Sequence, residues 1–125
     1  MNDIVLKPIT EATYLTVENA WRYRAILRYF YEQHERIRQF LFPDEIYQFL
    51  KKYEAFRGYT MEMLQTDLDQ LVKWKNLMAR QETGRVRTIE EFKKKRFRYQ
   101  CSPYTVEIER MVKSLESMGG SFGGS

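Results

Sequence analysis

The stretch of residues 96–112, RFRYQCSPYTVEIERMV, contains the change of pattern that decides the fold. Apolar and polar residues alternate from Arg96 to Cys101, which predicts a β-strand with one face in water. Ser102 and Pro103 follow as a helix cap and a first-turn proline. The predicted last helix covers about residues 103–118. Its apolar stripe consists of Ile108, Met111, Val112, Leu115 and Met118.

Upstream of this stretch, apolar residues recur every three or four positions. This spacing predicts helices over about residues 17–39, 43–54 and 60–75, and a second strand follows over about 77–82. Pro43 suits a helix start, Thr60 caps the third helix, and Asn76 is a left-handed stop. A capping box at Thr88 and Glu91 predicts a short helical turn within the hairpin.

Three helices, a two-stranded wing and a further helix follow one another along the chain. This order predicts a mainly α fold with a small β-wing, a winged helix with an additional C-terminal helix. We expect an N-terminal arm over residues 1–16 and a winged-helix domain over 17–118. Residues 119–125, with four of the six glycines, should form a flexible Gly/Ser linker, natural or engineered.

The first helix is apolar on more than one side. Its predicted core stripe contains Tyr23, Ile26, Leu27, Phe30, His34, Ile37 and Leu41. Trp21, Ala25 and Tyr29 lie at i, i+4 and i+8 on a different side. Either the arm residues 4–6 cover this second side, or a protein partner does, because surfaces rich in Trp and Tyr mark interfaces. The second alternative predicts a homodimer interface at Trp21, Ala25 and Tyr29.

Composition narrows the class of protein. The chain has 125 residues, of which 43% are hydrophobic and 30% are charged, and its formal net charge is +4. These values are typical of one soluble domain. One cysteine permits no internal disulfide, and the N-terminus shows no signal-peptide pattern, so we expect a cytoplasmic protein.

Catalytic chemistry is not predicted. The single His34 lies at the edge of the core stripe, and the single Cys101 is interpreted as a small core residue. Glu90 and Glu91 belong to the capping feature. No metal-ligand spacing or phosphate loop is present, so we expect no enzyme activity, no metal and no cofactor.

Residues 85–98, RVRTIEEFKKKRFR, carry seven basic and two acidic residues. The candidate phosphate contacts are Arg85, Arg87, Lys93, Lys94, Lys95, Arg96 and Arg98. The third helix, which a typical winged helix inserts into the major groove, has Glu62, Asp67 and Asp69 against Lys73. We therefore expect weak, sequence-independent DNA binding at most.

Several segments resemble a known family. The segments YRAILRYFYEQHERIRQFLFPDEIYQFL (23–50), LVKWKNL (71–77), TIEEF (88–92) and RFRYQCSPY (96–104) are similar to the N-terminal region of JetA. JetA is the kleisin-like subunit of Wadjet anti-plasmid systems. The layout is also similar to the N-terminal winged-helix domains of the MukF and MksF kleisins. The resemblance covers about residues 17–118.

The resemblance implies a structural role. Such subunits bridge the heads of an SMC-type ATPase dimer, beside an accessory subunit and a nuclease, and they pair through their N-terminal winged-helix domains. ATP hydrolysis and DNA cleavage then belong to other chains, and the segment that grips the SMC neck follows this domain. The alternative is a winged-helix DNA-binding module or regulator that uses the basic wing.

Overall fold

The computed structural model describes residues 1–82 and 96–122. They form a mainly helical domain with a small antiparallel sheet, which confirms the predicted fold class. The predicted turn at Thr88 lies outside these residues. The helices are α1 (Ala20–Glu35), α2 (Pro43–Leu50), α3 (Met61–Lys73) and α4 (Pro103–Phe122), and the strands are β1 (Leu77–Glu82) and β2 (Arg96–Cys101). Short 3-10 turns occupy Asp3–Leu6, Thr10–Leu15 and Glu54–Phe56.

The wing has the two strands that the alternating pattern predicted. β1 and β2 pair antiparallel, with Leu77 opposite Cys101 and Glu82 opposite Arg96. On the other edge of β2, Leu41 and Tyr99 exchange two backbone hydrogen bonds of 2.9 Å. Tyr99 and Cys101 are buried, whereas Arg96 is exposed. The inward side of the sheet therefore closes the helical core.

Two helix ends differ from prediction, because non-glycine residues form the left-handed stops. α1 ends at Glu35 and not near residue 39, since Ile37 has φ 66° and the Arg38 N–H donates to the Gln33 carbonyl at 2.8 Å. Ile37 was predicted in the core and is 86% exposed, so that prediction is wrong. At the end of α3 the left-handed residue is Lys75, with φ 65°, and not Asn76.

The remaining boundaries shift by a few residues. α1 begins at Ala20 and not near 17, because a 3-10 turn occupies Thr10–Leu15 and the chain bends before the helix. α2 ends at Leu50 and not near 54. The chain then turns so that Phe56, in the following 3-10 turn, becomes buried.

The two termini of the chain are more structured than predicted. Tyr14, in the predicted arm, is fully buried and donates a hydrogen bond to Glu109 of α4. At the other end, α4 continues to Phe122. Residues 119–122, predicted as linker, are therefore helical, and 123–125 lie outside the described residues.

The core surrounds α1. α1 contacts α4, the 3-10 turn Thr10–Leu15, β2 of the wing and α2. The most completely buried side chains include Ile26, Leu27, Leu41, Ile46, Leu50, Leu64, Leu68, Leu71 and Leu77. Burial of this kind stabilises by roughly 1.5–3 kcal/mol per large apolar side chain. The sides of α1 and α4 that face away from this core are available for binding.

Candidate interaction surfaces

A groove lies between α1 and the segment formed by α2 and the turn after it. Trp21 and Ala25 form one wall, and Phe49, Tyr53 and Phe56 form the other. The groove has a volume of about 340 Å³. Because Ala25 is small, the space above it stays open between the larger rings. Such a concave apolar site suits a protruding side chain of a partner.

The second apolar side of α1 is covered in part by the chain's own aromatic rings. Tyr29 stacks on Phe49 with ring centroids 4.0 Å apart, and Trp21 contacts Phe56 with centroids 5.1 Å apart. Trp21 is still 48% exposed, while Tyr29 is half-buried. The arm residues Ile4–Leu6 are exposed, and none of their side chains is buried. Rings of α2 and of the turn after it, and not residues 4–6, therefore provide the cover.

The predicted apolar stripe of α4 faces mainly outward. Ile108 is half-buried and Val112 is buried. More than half of the surface of Tyr104, Met111, Leu115 and Met118 is exposed, between 51% and 63%. Single exposed apolar side chains are ordinary, but a contiguous row on one helix face marks an interaction site. Sequence reasoning identified the stripe but not that it faces away from the domain.

The inward face of α4 contains charged groups as well as the buried Val106 and Val112. Glu109 is fully buried, accepts a hydrogen bond from the Tyr14 hydroxyl, and pairs with the Arg28 Nε at 2.9 Å. Glu116 accepts from the Arg28 Nη2 at 2.8 Å and also pairs with Arg24. The Arg28 hydrogen bond lowers the pKa of Glu116, and burial together with Glu109 raises the pKa of Tyr14. α4 thus exposes an apolar row, while its buried side combines the Glu109 ion pair with Val106 and Val112.

A second buried acid corrects the predicted surface of α3. Asp67, predicted on the outward polar face, is buried and pairs with Arg22 at 3.0 Å. It also accepts a hydrogen bond from the Tyr59 hydroxyl at 2.6 Å. Burial and this bond raise the pKa of Tyr59. Among the three predicted acids, Glu62 and Asp69 therefore remain exposed on α3.

Two of the seven candidate phosphate contacts lie in the described part of the wing. The guanidinium of Arg96 lies 3.8 Å from the centroid of Phe42, and that of Arg98 lies 4.1 Å from the centroid of Phe40. Arg98 is directly opposite Arg80 in the sheet. Cation–π contacts therefore already engage both of these candidates, Arg96 and Arg98. The candidates Arg85, Arg87, Lys93, Lys94 and Lys95 lie outside the described residues.

The single His34 and Cys101 line one cavity, although they are distant in sequence. Cys101 is buried, and burial with the nearby Glu109 raises the pKa of its thiol to about 12. At neutral pH the thiol is therefore protonated and is a poor nucleophile. Within residues 1–82 and 96–122, no group of three or more His, Cys, Asp or Glu side chains could hold a metal ion. The prediction that the protein is not an enzyme stays a prediction.

Comparison with known proteins places the chain in a family. In the described part of the chain, no helix has both the length and the apolar character needed to cross a membrane. No curated protein and no solved structure matched the chain. A family model described as a protein of unknown function, DUF2397, matches residues 12–125. This match covers nearly the whole chain, and the chain belongs to the DUF2397 family.

Proposed function

We propose that this domain is a structural pairing domain of a kleisin-like subunit, similar to JetA, in a Wadjet-type SMC complex. In this role two copies of the domain join two SMC complexes during plasmid defence. The observation that carries the proposal is the outward apolar face of α4, with Met111, Leu115 and Met118 about half exposed. An apolar helix face that is exposed to water indicates a binding surface for a protein partner.

The resemblance of residues 17–118 to JetA supplies the rest of the proposal, and membership of DUF2397 is compatible with it. The SMC-type ATPase and the accessory subunit are expected to contact other parts of the subunit. ATP hydrolysis and DNA cleavage belong to other chains in this proposal. The complex works in the cytoplasm, on plasmid DNA.

The direct test is the oligomeric state of the chain. Size exclusion coupled to light scattering should give a mass near twice the 15.2 kDa of one chain at micromolar concentration. Co-purification of a tagged and an untagged copy, expressed together, should recover both. A chain that remains monomeric at high micromolar concentration would contradict the pairing function.

A DNA-binding module or regulator is the second candidate. The supporting observation is the pair Arg80 and Arg98, opposite one another on the wing, because phosphate would relieve their repulsion. The exposed acids Glu62 and Asp69 on α3 disfavour insertion of that helix into a groove. Anisotropy of labelled duplexes, with Arg80→Ser as the variant, tests this role. Tight binding of one sequence at physiological salt would favour the regulator.

A further inference from the structure

We propose that α4 is the seam of the pair, and that it packs antiparallel against α4 of a second copy across a twofold axis. This inference rests on the proposed pairing function and adds the surface, the orientation and the residue register. The seam consists of Tyr104, Ile108, Met111, Leu115 and Met118.

The spacing of the seam residues indicates a helix as the occupant. From Tyr104 to Met118 the intervals along the chain are four, three, four and three residues. This is the 3.5-residue repeat of a two-stranded coiled coil, in which Ile108 and Leu115 take one core position and Tyr104, Met111 and Met118 take the other.

The opposite face of α4 is already committed to the domain. Glu109 and Glu116 meet Arg28 of α1, and Thr105 is fully buried beside Asn76. Lys113 lies over the ring of Tyr31, 5.8 Å from its centroid. The seam therefore points away from α1, so a second helix can approach without displacing any of these contacts.

The sequence of α4 suits a second copy of itself. In an antiparallel pair centred on Lys113, Ile108 faces Met118 of the partner copy, and Met111 faces Leu115. Each seam residue except Tyr104 then contacts an apolar seam residue of the partner copy, and that residue belongs to the other of the two core positions. A twofold axis through this centre closes the pair and prevents further growth.

The positions beside the seam hold little charge. Thr105 and Val112 are neutral and buried against the domain, Ser114 is neutral and exposed, and the one acid, Glu107, is paired with Arg110 of the same helix. These positions present no unpaired charge that would select an oppositely charged partner protein. Two identical copies of them do not repel each other when they meet. This neutrality favours a second copy over a partner selected by charge.

The exposed area is adequate for a pair. Tyr104, Met111, Leu115 and Met118 leave on the order of 100 Å² each in water at their exposed fractions, which gives roughly 400 Å² per copy. A standard interface buries about 800 Å² per partner, of which somewhat more than half is apolar. The seam can supply most of that apolar share, and the exposed residues beside it, Glu107, Arg110 and Ser114, supply part of the remainder.

Two pairs of glutamine substitutions separate the seam from the groove. Met111→Gln with Leu115→Gln replaces two half-exposed apolar side chains of α4 by residues of equal helix propensity. Trp21→Gln with Tyr53→Gln is the matched control in the groove, where both side chains are also about half exposed. Light scattering gives the mass, and circular dichroism reports folding. We expect the α4 variant to dimerise at least about 30-fold more weakly and the control to pair like the parent.

The outcomes distinguish the two proposals. A monomeric parent overturns the pairing function itself. A parent dimer that survives the α4 substitutions but dissociates in the groove control overturns the seam and leaves pairing intact. In that case the interface is the one predicted from Trp21, Ala25 and Tyr29.

Cross-linking tests the orientation, and it applies even if the glutamine variant fails to fold. Ile108→Cys and Met118→Cys chains, mixed and oxidised in a Cys101→Ala background, should join to each other. Met118→Cys alone should not, because its two copies lie roughly 15 Å apart along the antiparallel pair. The antiparallel seam would be overturned if two Met118→Cys chains form a disulfide efficiently while Ile108→Cys and Met118→Cys chains form none with each other.

Discussion

Glu109 offers the sharpest test of how α4 is held to the domain. Its carboxylate is fully buried between the Tyr14 hydroxyl and the Arg28 guanidinium. Removing one partner of a buried ion pair typically costs 3–5 kcal/mol, because the other partner stays buried without it. Without Glu109, Arg28 still pairs with Glu116 at 2.8 Å and is partly exposed to water. The cost should therefore lie at the lower end of this range. Glu109→Ala should therefore lower the free energy of unfolding by about 3 kcal/mol.

The shared hydrogen bond of Tyr14 and Glu109 predicts that substitutions of these two residues are not additive. Tyr14→Phe deletes a hydrogen bond to a charged acceptor and should cost about 2 kcal/mol alone. When Glu109 is already replaced by alanine, the Tyr14 hydroxyl has lost its acceptor, so removing the hydroxyl costs less. The double variant Tyr14→Phe with Glu109→Ala should therefore cost about 1–2 kcal/mol less than the sum of the single variants, about 5 kcal/mol. Urea unfolding followed by circular dichroism measures all three values.

The matched control is Glu107→Ala, on the exposed side of the same helix. It should leave the urea midpoint nearly unchanged, because exposed ion pairs contribute little. A Glu109→Ala cost below 1 kcal/mol, or full additivity with Tyr14→Phe, would refute the buried network as the attachment of α4.

Three further outcomes are expected. Stability should fall as pH rises from 9 towards 12, since the unfolded Cys101 thiol ionises near 9 while the folded thiol stays protonated to about 12; Cys101 contributes about 1.4 kcal/mol per pH unit to this slope, Tyr14 and Tyr59 add to it above about pH 10, and Cys101→Ala should remove the Cys101 contribution in chemical denaturation at each pH. Phe30→Ala should cost about 3–5 kcal/mol, whereas Trp21→Ala, half exposed, should cost about 1–2 kcal/mol; thermal melts that rank them in reverse would contradict the assignment of the core side of α1. Duplex DNA should bind weakly and without sequence preference, and anisotropy should show the affinity falling steeply with salt.

Local patterns predicted the elements whose cause is local. The alternation in residues 96–101 predicted β2, and Pro43 and Pro103 predicted the starts of two helices. The helix ends failed where Ile37 and Lys75 adopt left-handed conformations, since neither residue type prefers that region. Periodicity can locate such a stop to within a turn but cannot assign it to a β-branched residue.

The polar core could not be predicted for a different reason. Glu109 has the sequence context of a surface acid, and its partner Tyr14 is 95 residues away. Periodicity shows that one face of α4 is apolar, but it does not say which face packs inside. Here the buried side combines the pairs of Glu109 and Glu116 with α1 and the apolar Val106 and Val112, while the row at Met111, Leu115 and Met118 stays half exposed. The 4-3-4-3 spacing that begins at Tyr104 was the available signal for a helical partner.

The groove and the seam differ in shape, and this difference bears on the proposed pair. A concave groove of about 340 Å³ needs a convex occupant, so two identical grooves do not complement each other across a twofold axis. A straight row of half-exposed side chains does complement itself when inverted. The seam shares no residue with the groove lining, and it points away from α1, whose Trp21 and Ala25 form one groove wall. A pair closed through α4 therefore leaves both copies of the groove accessible. Loss of pairing in the groove control, with pairing retained in the α4 variant, would therefore contradict a seam at α4.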